Sequence, residues 1–152
     1  MIKTFTTNEI LTIYNWYMSI KEEKPEIISN CSVAVQWGLR QNMNKFLPIA
    51  KDFMEMKSEL EQKLQAEYAT EEKSEVIEGE EAQRKVKEEY LEEYQKAIEE
   101  INKSLTEILS EENEIDIKVV DVDNEVEKTL SDKTPTTDEI DFFDGLMFMN
   151  KE

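Results

Sequence analysis

Carboxylates are the side chains this sequence offers for chemistry. Asp and Glu account for 36 of 152 residues, histidine is missing, and cysteine occurs once, at Cys31. Two clusters stand out: Glu88, Glu89, Glu92 and Glu93 in one, and Asp116, Asp121, Asp123 and Glu125 in the other. Paired carboxylates can do acid–base work when a pocket tunes them. Nothing in the pattern marks such a pocket. The three glycines, Gly38, Gly79 and Gly145, lie too far apart to form a phosphate loop. Without histidine there is no Ser-His-Asp or Cys-His apparatus and no Cys/His zinc site. A single cysteine excludes an internal disulfide, and Cys31 reads as a small packed hydrophobe. The second acidic cluster lacks the central glycine of a calcium loop. The expectation is therefore a protein that is no enzyme, with no catalytic residue, metal or cofactor.

The acids instead point to binding. Lys and Arg total 18 against 36 acids, a net charge of −18. Residues 1–70 hold nine acids and eight bases, while residues 71–152 hold 27 acids and ten bases. Solubility alone accounts for a charged surface, but −18 on a chain this short exceeds what solubility requires. A nucleic-acid backbone is disfavoured as a direct partner, because binding it needs cations. A basic protein is the complementary partner. Glu88, Glu89, Glu92, Glu93, Asp116, Asp121 and Asp123 are the residues expected to meet it. No run of 18 apolar residues offers a membrane span, and Met1–Tyr17 lacks a signal-peptide pattern, so a cytoplasmic location is expected.

These residues must be held by helices for the most part. Thr6-Thr7-Asn8-Glu9 is a capping box, opening a first helix over about 8–21 that is apolar on most sides and expected to be buried. Pro25 ends it, and 26–29 reads as a short extended piece. A long second helix follows from Ser29 or Ser32 to about Tyr68, marked by Val33, Trp37, Leu39, Met43, Phe46, Ala50, Phe53, Leu60 and Leu64. Pro48 is expected to kink it. After a polar break ending at Gly79, a third helix is predicted over about 80–111 from Val86, Tyr90, Tyr94, Ala97 or Ile98, Ile101, Leu105 and Ile108. Two long helices with matching stripes pair as an antiparallel hairpin. Alternation over 114–119 predicts a strand, continued over 120–123 with a bulge, whose mate is either 26–29 or 1–5. Residues 124–135 read as a loop. Thr136-Thr137-Asp138-Glu139 is a second capping box before a short apolar helix ending near Met149. The fold class is mainly α: a long antiparallel helical hairpin with a buried N-terminal helix, a small β element and a short C-terminal helix. One domain is expected over 1–152, with a helical core at 1–112 and an acidic strand, loop and terminal helix at 113–152. The hairpin is expected to form without residues 124–152.

The order of these elements carries a resemblance. A capped apolar helix leads to the small-residue start Cys31-Ser32-Val33-Ala34-Val35, then to Asn42-Met43-Asn44-Lys45-Phe46 and a long helix ending near Tyr68. The strand Glu114–Val119 and a capped helix ending Leu146-Met147-Phe148-Met149 close the chain. This arrangement resembles an uncharacterised family of short acidic proteins encoded by tailed phages of Gram-positive hosts. Pro48 and the acidic stretch 71–81 fit it least well. The resemblance implies a phage origin and a helix-hairpin-plus-strand fold, and no mechanism. Two functions are then in view. One is an inhibitor of a host nucleic-acid-binding or defence protein, its carboxylates mimicking phosphates. The other is a virion or assembly protein, using the apolar terminal helix and the coiled-coil stripe.

Overall fold

In a computed structural model, the chain is described at every backbone position, and at every side chain outside residues 80–82. The elements run β1 (Ile2–Thr6), α1 (Thr7–Glu23), α2 (Pro25–Ser29), α3 (Val33–Tyr68), β2 (Ser74–Ile77), β3 (Glu80–Val86), a 3-10 turn (Glu88–Tyr90), α4 (Leu91–Leu109), β4 (Glu112–Asp116), α5 (Val122–Asp132), α6 (Thr137–Leu146) and a closing 3-10 turn (Met147–Met149). The fold is mainly α, as the periodicity predicts. Two compact units divide it: residues 1–50 with 111–152, and residues 51–110.

In the first unit, both capping boxes form as their residue types require. Glu9 N–H donates to Thr6 Oγ1 at 3.1 Å, and Thr6 N–H donates to Glu9 Oε1 at 2.9 Å. Thr136 and Glu139 repeat the exchange at 3.2 and 3.3 Å. Two backbone donors at each helix start are thus satisfied locally. β1 pairs antiparallel with β4, Ile2 opposite Asp116 and Thr6 opposite Glu112, so 1–5 is the mate of the predicted strand. That strand is shorter than expected and carries no bulge. Ile117 N–H still donates to Met1 O at 2.8 Å, and only then does the chain leave the ladder, Lys118 N–H donating to Asn42 Oδ1 at 2.8 Å. Val120 then bridges Asn150 in parallel. Residues 26–29 are helical, since Pro25 occupies a first-turn position where its missing N–H costs nothing.

The core of this unit is one apolar cluster. Ile10, Leu39, Phe46, Ile117, Val122, Phe142, Leu146 and Met149 are at most 2% exposed. α1 turns Ile10 and Leu11 inward, and its Trp16 stacks on Phe142 at 5.5 Å. The terminal helix is therefore part of this core, its Phe142, Leu146 and Met149 packed in one cluster with Val35, Leu39 and Phe46 of α3. Gly145 explains the close stacking, because any Cβ there would overlap the Trp16 indole. Gly38, which costs α3 helix propensity, has a similar reason: a Cβ would lie 2.6 Å from Val120. α5 replaces the loop expected over 124–135. Asp121 caps it by accepting from Asn124 N–H at 2.9 Å.

α3 is helical through Pro48; in the second unit it runs from residue 51 to Tyr68, and α4 lies antiparallel to this part. Tyr68 meets Tyr94 at 4.9 Å, and further along Leu60 and Leu64 face Ala97 and Ile101 across a groove. The hairpin stands, but its tip differs from the continuous third helix predicted from Glu80. β2 and β3 pair antiparallel, with Gly79 turning between them at φ 85°. Val86 and Tyr90 keep helical spacing from Tyr94 yet lie on the strand and the 3-10 turn. Gly79 takes a positive φ that turns the chain back, so the segments on either side pair as a hairpin where a continuous helix is interrupted. Ser74, 2% exposed, pins the strands: it accepts from Arg84 Nε at 2.7 Å and donates to Thr70 O at 2.8 Å.

Candidate functional site

The glutamates Glu88, Glu89, Glu92 and Glu93 sit where β3 gives way to α4. Lys87 N–H donates to Lys73 O at 2.9 Å, closing the base of the strand hairpin. The 3-10 turn then carries Glu88 and Glu89, and the first turn of α4 carries Glu92 and Glu93. All four are exposed. The positive end of a helix favours carboxylates in this place, which stabilises Glu92 and Glu93 in particular. Of the four, Glu92 alone has a cation within ion-pair distance among the described residues, Lys96 at 3.5 Å. A tyrosine cluster lies beside them. The Lys73 ammonium stands 4.8 Å over Tyr68 and 5.8 Å over Tyr90. Burial pushes the Tyr68 hydroxyl above its ordinary range, with Glu93 and Glu67 adding to the shift. Tyr90 is raised likewise, by burial first and then by its bond to Glu72.

Asp116, Asp121 and Asp123 belong to the other unit, and each has a partner inside it. Asp116 accepts from the Met1 ammonium at 3.0 Å, which holds its carboxyl below the usual range. Asp121 caps α5 and meets Lys151 at 2.8 Å, and these two contacts lower it too, the Lys151 bond foremost. Asp123 accepts from Asn150 Nδ2 at 3.1 Å. The seven residues named from the sequence thus fall into two sets on separate units: a glutamate set with few internal partners and an aspartate set engaged within its own fold.

Glu125, the fourth acid of the second cluster, is 7% exposed and accepts from Ser32 N–H at 2.7 Å. It satisfies a donor at the start of α3. Cys31, next in the chain, has its thiol pushed up to about 12 by burial, with Glu125 and Glu139 adding to it. At neutral pH it is a thiol, not a thiolate nucleophile. Among the described residues, no three of Cys, Asp and Glu gather where they could hold a metal ion. Nor is any described helix long and apolar enough to cross a membrane.

Two surfaces escape the sequence patterns. Val33 and Trp37 read as core positions but are 81% and 52% exposed, and with Tyr17, Ile28 and Arg40 they line a shallow hollow of about 210 Å³. α3 carries two apolar stripes, and Val35, Leu39, Met43 and Phe46 form the one that is buried. The other surface is the groove between α3 and α4, about 390 Å³, walled by Leu60, Leu64, Ala97 and Ile101. Its walls were visible in the sequence as matched stripes, while the open space between them was not. No family model, curated protein or solved structure matches this chain.

Proposed function

We propose that this protein acts by binding and not by catalysis, and that its partner is a basic protein met by the glutamates at the start of α4. The observation that carries this is the exposure of Glu88, Glu89, Glu92 and Glu93 with a single internal cation among them. Closely spaced like charges destabilise a helix by a few tenths of a kcal/mol per pair, and a cationic partner relieves that cost. The resemblance to short acidic phage proteins supplies a setting, a bacterial host whose nucleic-acid-binding or defence protein is inhibited by a phosphate-like surface. The aspartate set is less suited to the role, since its carboxylates are already used within the fold. An assembly role through the terminal helix is disfavoured, because Phe142, Leu146 and Met149 face the protein's own core.

The test is capture from a bacterial lysate at low and high salt. Charge-led association weakens as salt rises. Reversal of Glu88, Glu89, Glu92 and Glu93 to Lys should slow association with the captured protein at least tenfold and leave the fold intact. Captured binding that ignores both salt and this reversal overturns the reading.

A further inference from the structure

The groove between the C-terminal half of α3 and α4 has the form of a seat for a third helix. Its walls repeat at helical spacing on both sides, Leu60 with Leu64 and Ala97 with Ile101. Leu60, Leu64 and Ile101 stay half-buried, so the pairing of the two helices leaves apolar area uncovered. Three-helix packing closes such a seam by placing side chains of one helix between those of the others. α4 has 19 residues, or about 28 Å, enough for several turns of a partner.

Charge selects the occupant. Residues 51–110 contain 18 acids and nine bases. Glu67 and Glu100 stand on the groove's edge with Lys63, and Glu67 meets Lys73 at 3.8 Å, so the acidic excess that selects the occupant is that of the unit as a whole. A second copy would bring the same excess of acids against this one. We infer that the groove docks a basic amphipathic helix of a partner protein, its apolar stripe on the groove floor and its Lys or Arg residues toward the flanking glutamates. This rests on the reading of the chain as a binder of basic proteins. It adds an apolar seat for the partner, distinct from Glu88, Glu89, Glu92 and Glu93, and the conformation of the segment that occupies it.

Three labelled synthetic peptides of about the length of α4 test it against the full chain. One has leucines along a single helical face and lysines elsewhere. The second has the same composition with the leucines scattered. The third keeps the leucine face and replaces lysine by glutamate. The first should bind at least tenfold tighter than either other and gain helical circular dichroism on binding. Ala97→Lys should weaken it at least tenfold by filling and charging the groove without removing a core group. Ser104→Arg, at the exposed rim, should weaken it less and leave the melting temperature unchanged. Equal binding of the two basic peptides overturns the groove while sparing the acidic-surface reading. Equal binding of the two leucine-faced peptides overturns the basic character of the occupant. Failure of both basic peptides overturns both readings. A dimer by sedimentation that Ala97→Lys converts to monomer gives the groove to a second copy and overturns the inference.

Discussion

Residues 1–50 with 111–152 gather twelve buried apolar side chains into one cluster, from Phe5 to Met149. Residues 51–110 bury only Phe53, Tyr68 and Leu105 among their described apolar side chains. Yet the two units carry the same burden of charge, 18 acids and nine bases each. Division at residue 70 put nearly all the excess in the second half of the sequence, because residues 1–50 carry four acids and five bases while the segment that completes their unit, 111–152, carries 14 and four. Packing redistributes it evenly. What separates the units is the apolar burial set against the repulsion. The first has a dense core to offset it, whereas the second relies on helix-forming residues and on the Ser74–Arg84 clasp. The less buried unit also carries the exposed Glu88, Glu89, Glu92 and Glu93 and the half-buried groove between α3 and α4. Regions with few buried apolar contacts lie at the low end of local stability.

The largest effect should come from removing the segment that completes the dense unit. A chain ending at Asp123 loses Phe142, Leu146 and Met149, each at most 1% exposed. Truncating one buried side chain costs about 2–5 kcal/mol, and a domain's whole stability is about 5–15 kcal/mol. Residues 1–50 should therefore lose their packing. Both tryptophans, Trp16 and Trp37, lie in this unit, so their fluorescence reports on it separately. The emission should shift to that of water-exposed indole. A cooperative melt seen by tryptophan in the shortened chain would return residues 124–152 to the role of a dispensable tail.

In the sparse unit the matching change is Leu105→Asp, which places an unpaired charge at a position 6% exposed. It should cost about 3 kcal/mol or more and melt the helices of residues 51–110. Glu100→Gln, at an exposed position, should be neutral or slightly stabilising by relieving repulsion. A circular dichroism melt of Leu105→Asp that overlays the parent would place this stripe in solvent.

How much of this was legible followed from how far each residue's partner lies along the chain. The capping boxes were readable because Thr6 and Glu9, or Thr136 and Glu139, meet three residues apart. The hairpin was readable from long stripes on both helices. α5 was not, because Val120 and Val122 alternate like a strand and its cap, Asp121, lacks the Glu or Gln three residues on that completes a capping box. β2 and β3 were hidden by Val86 and Tyr90, whose spacing from Tyr94 suits a helix equally well. Asn42 and Glu125 find their backbone partners 76 and 93 residues away, and no local pattern announces that. Trp37 was misplaced because α3 has two apolar stripes, and only tertiary packing decides which turns inward.

A smaller effect tests how tightly the dense unit is fitted. In most helices Gly→Ala is stabilising by up to about 1 kcal/mol. At Gly145 the new methyl would strike the Trp16 ring, so Gly145→Ala should destabilise instead, by about 1–3 kcal/mol. Thermal melts followed by tryptophan emission measure it. A rise in melting temperature would mean that the Trp16–Phe142 stack has room to move.

The smallest effect concerns charge alone. Glu139 lies at the start of α6, where Lys133 at 3.1 Å and then Thr136 N–H hold its carboxyl below the ordinary glutamate range. Glu139→Gln keeps the residue type able to bond Thr136 N–H and removes the ion pair. A carboxyl lowered in the folded state adds stability that is complete above its unfolded value and is lost as pH falls through the folded one. The variant should thus melt slightly below the parent at neutral pH. The gap should close as the pH falls through and below the Glu139 value, when both side chains become neutral. The rest of the molecule moves oppositely at first, since acid relieves the repulsion of −18, so the informative quantity is the difference between parent and variant at each pH and not either curve alone. A gap that persists unchanged into acid would assign the contribution of Glu139 to its hydrogen bonds and leave the Lys133 pair without effect on stability.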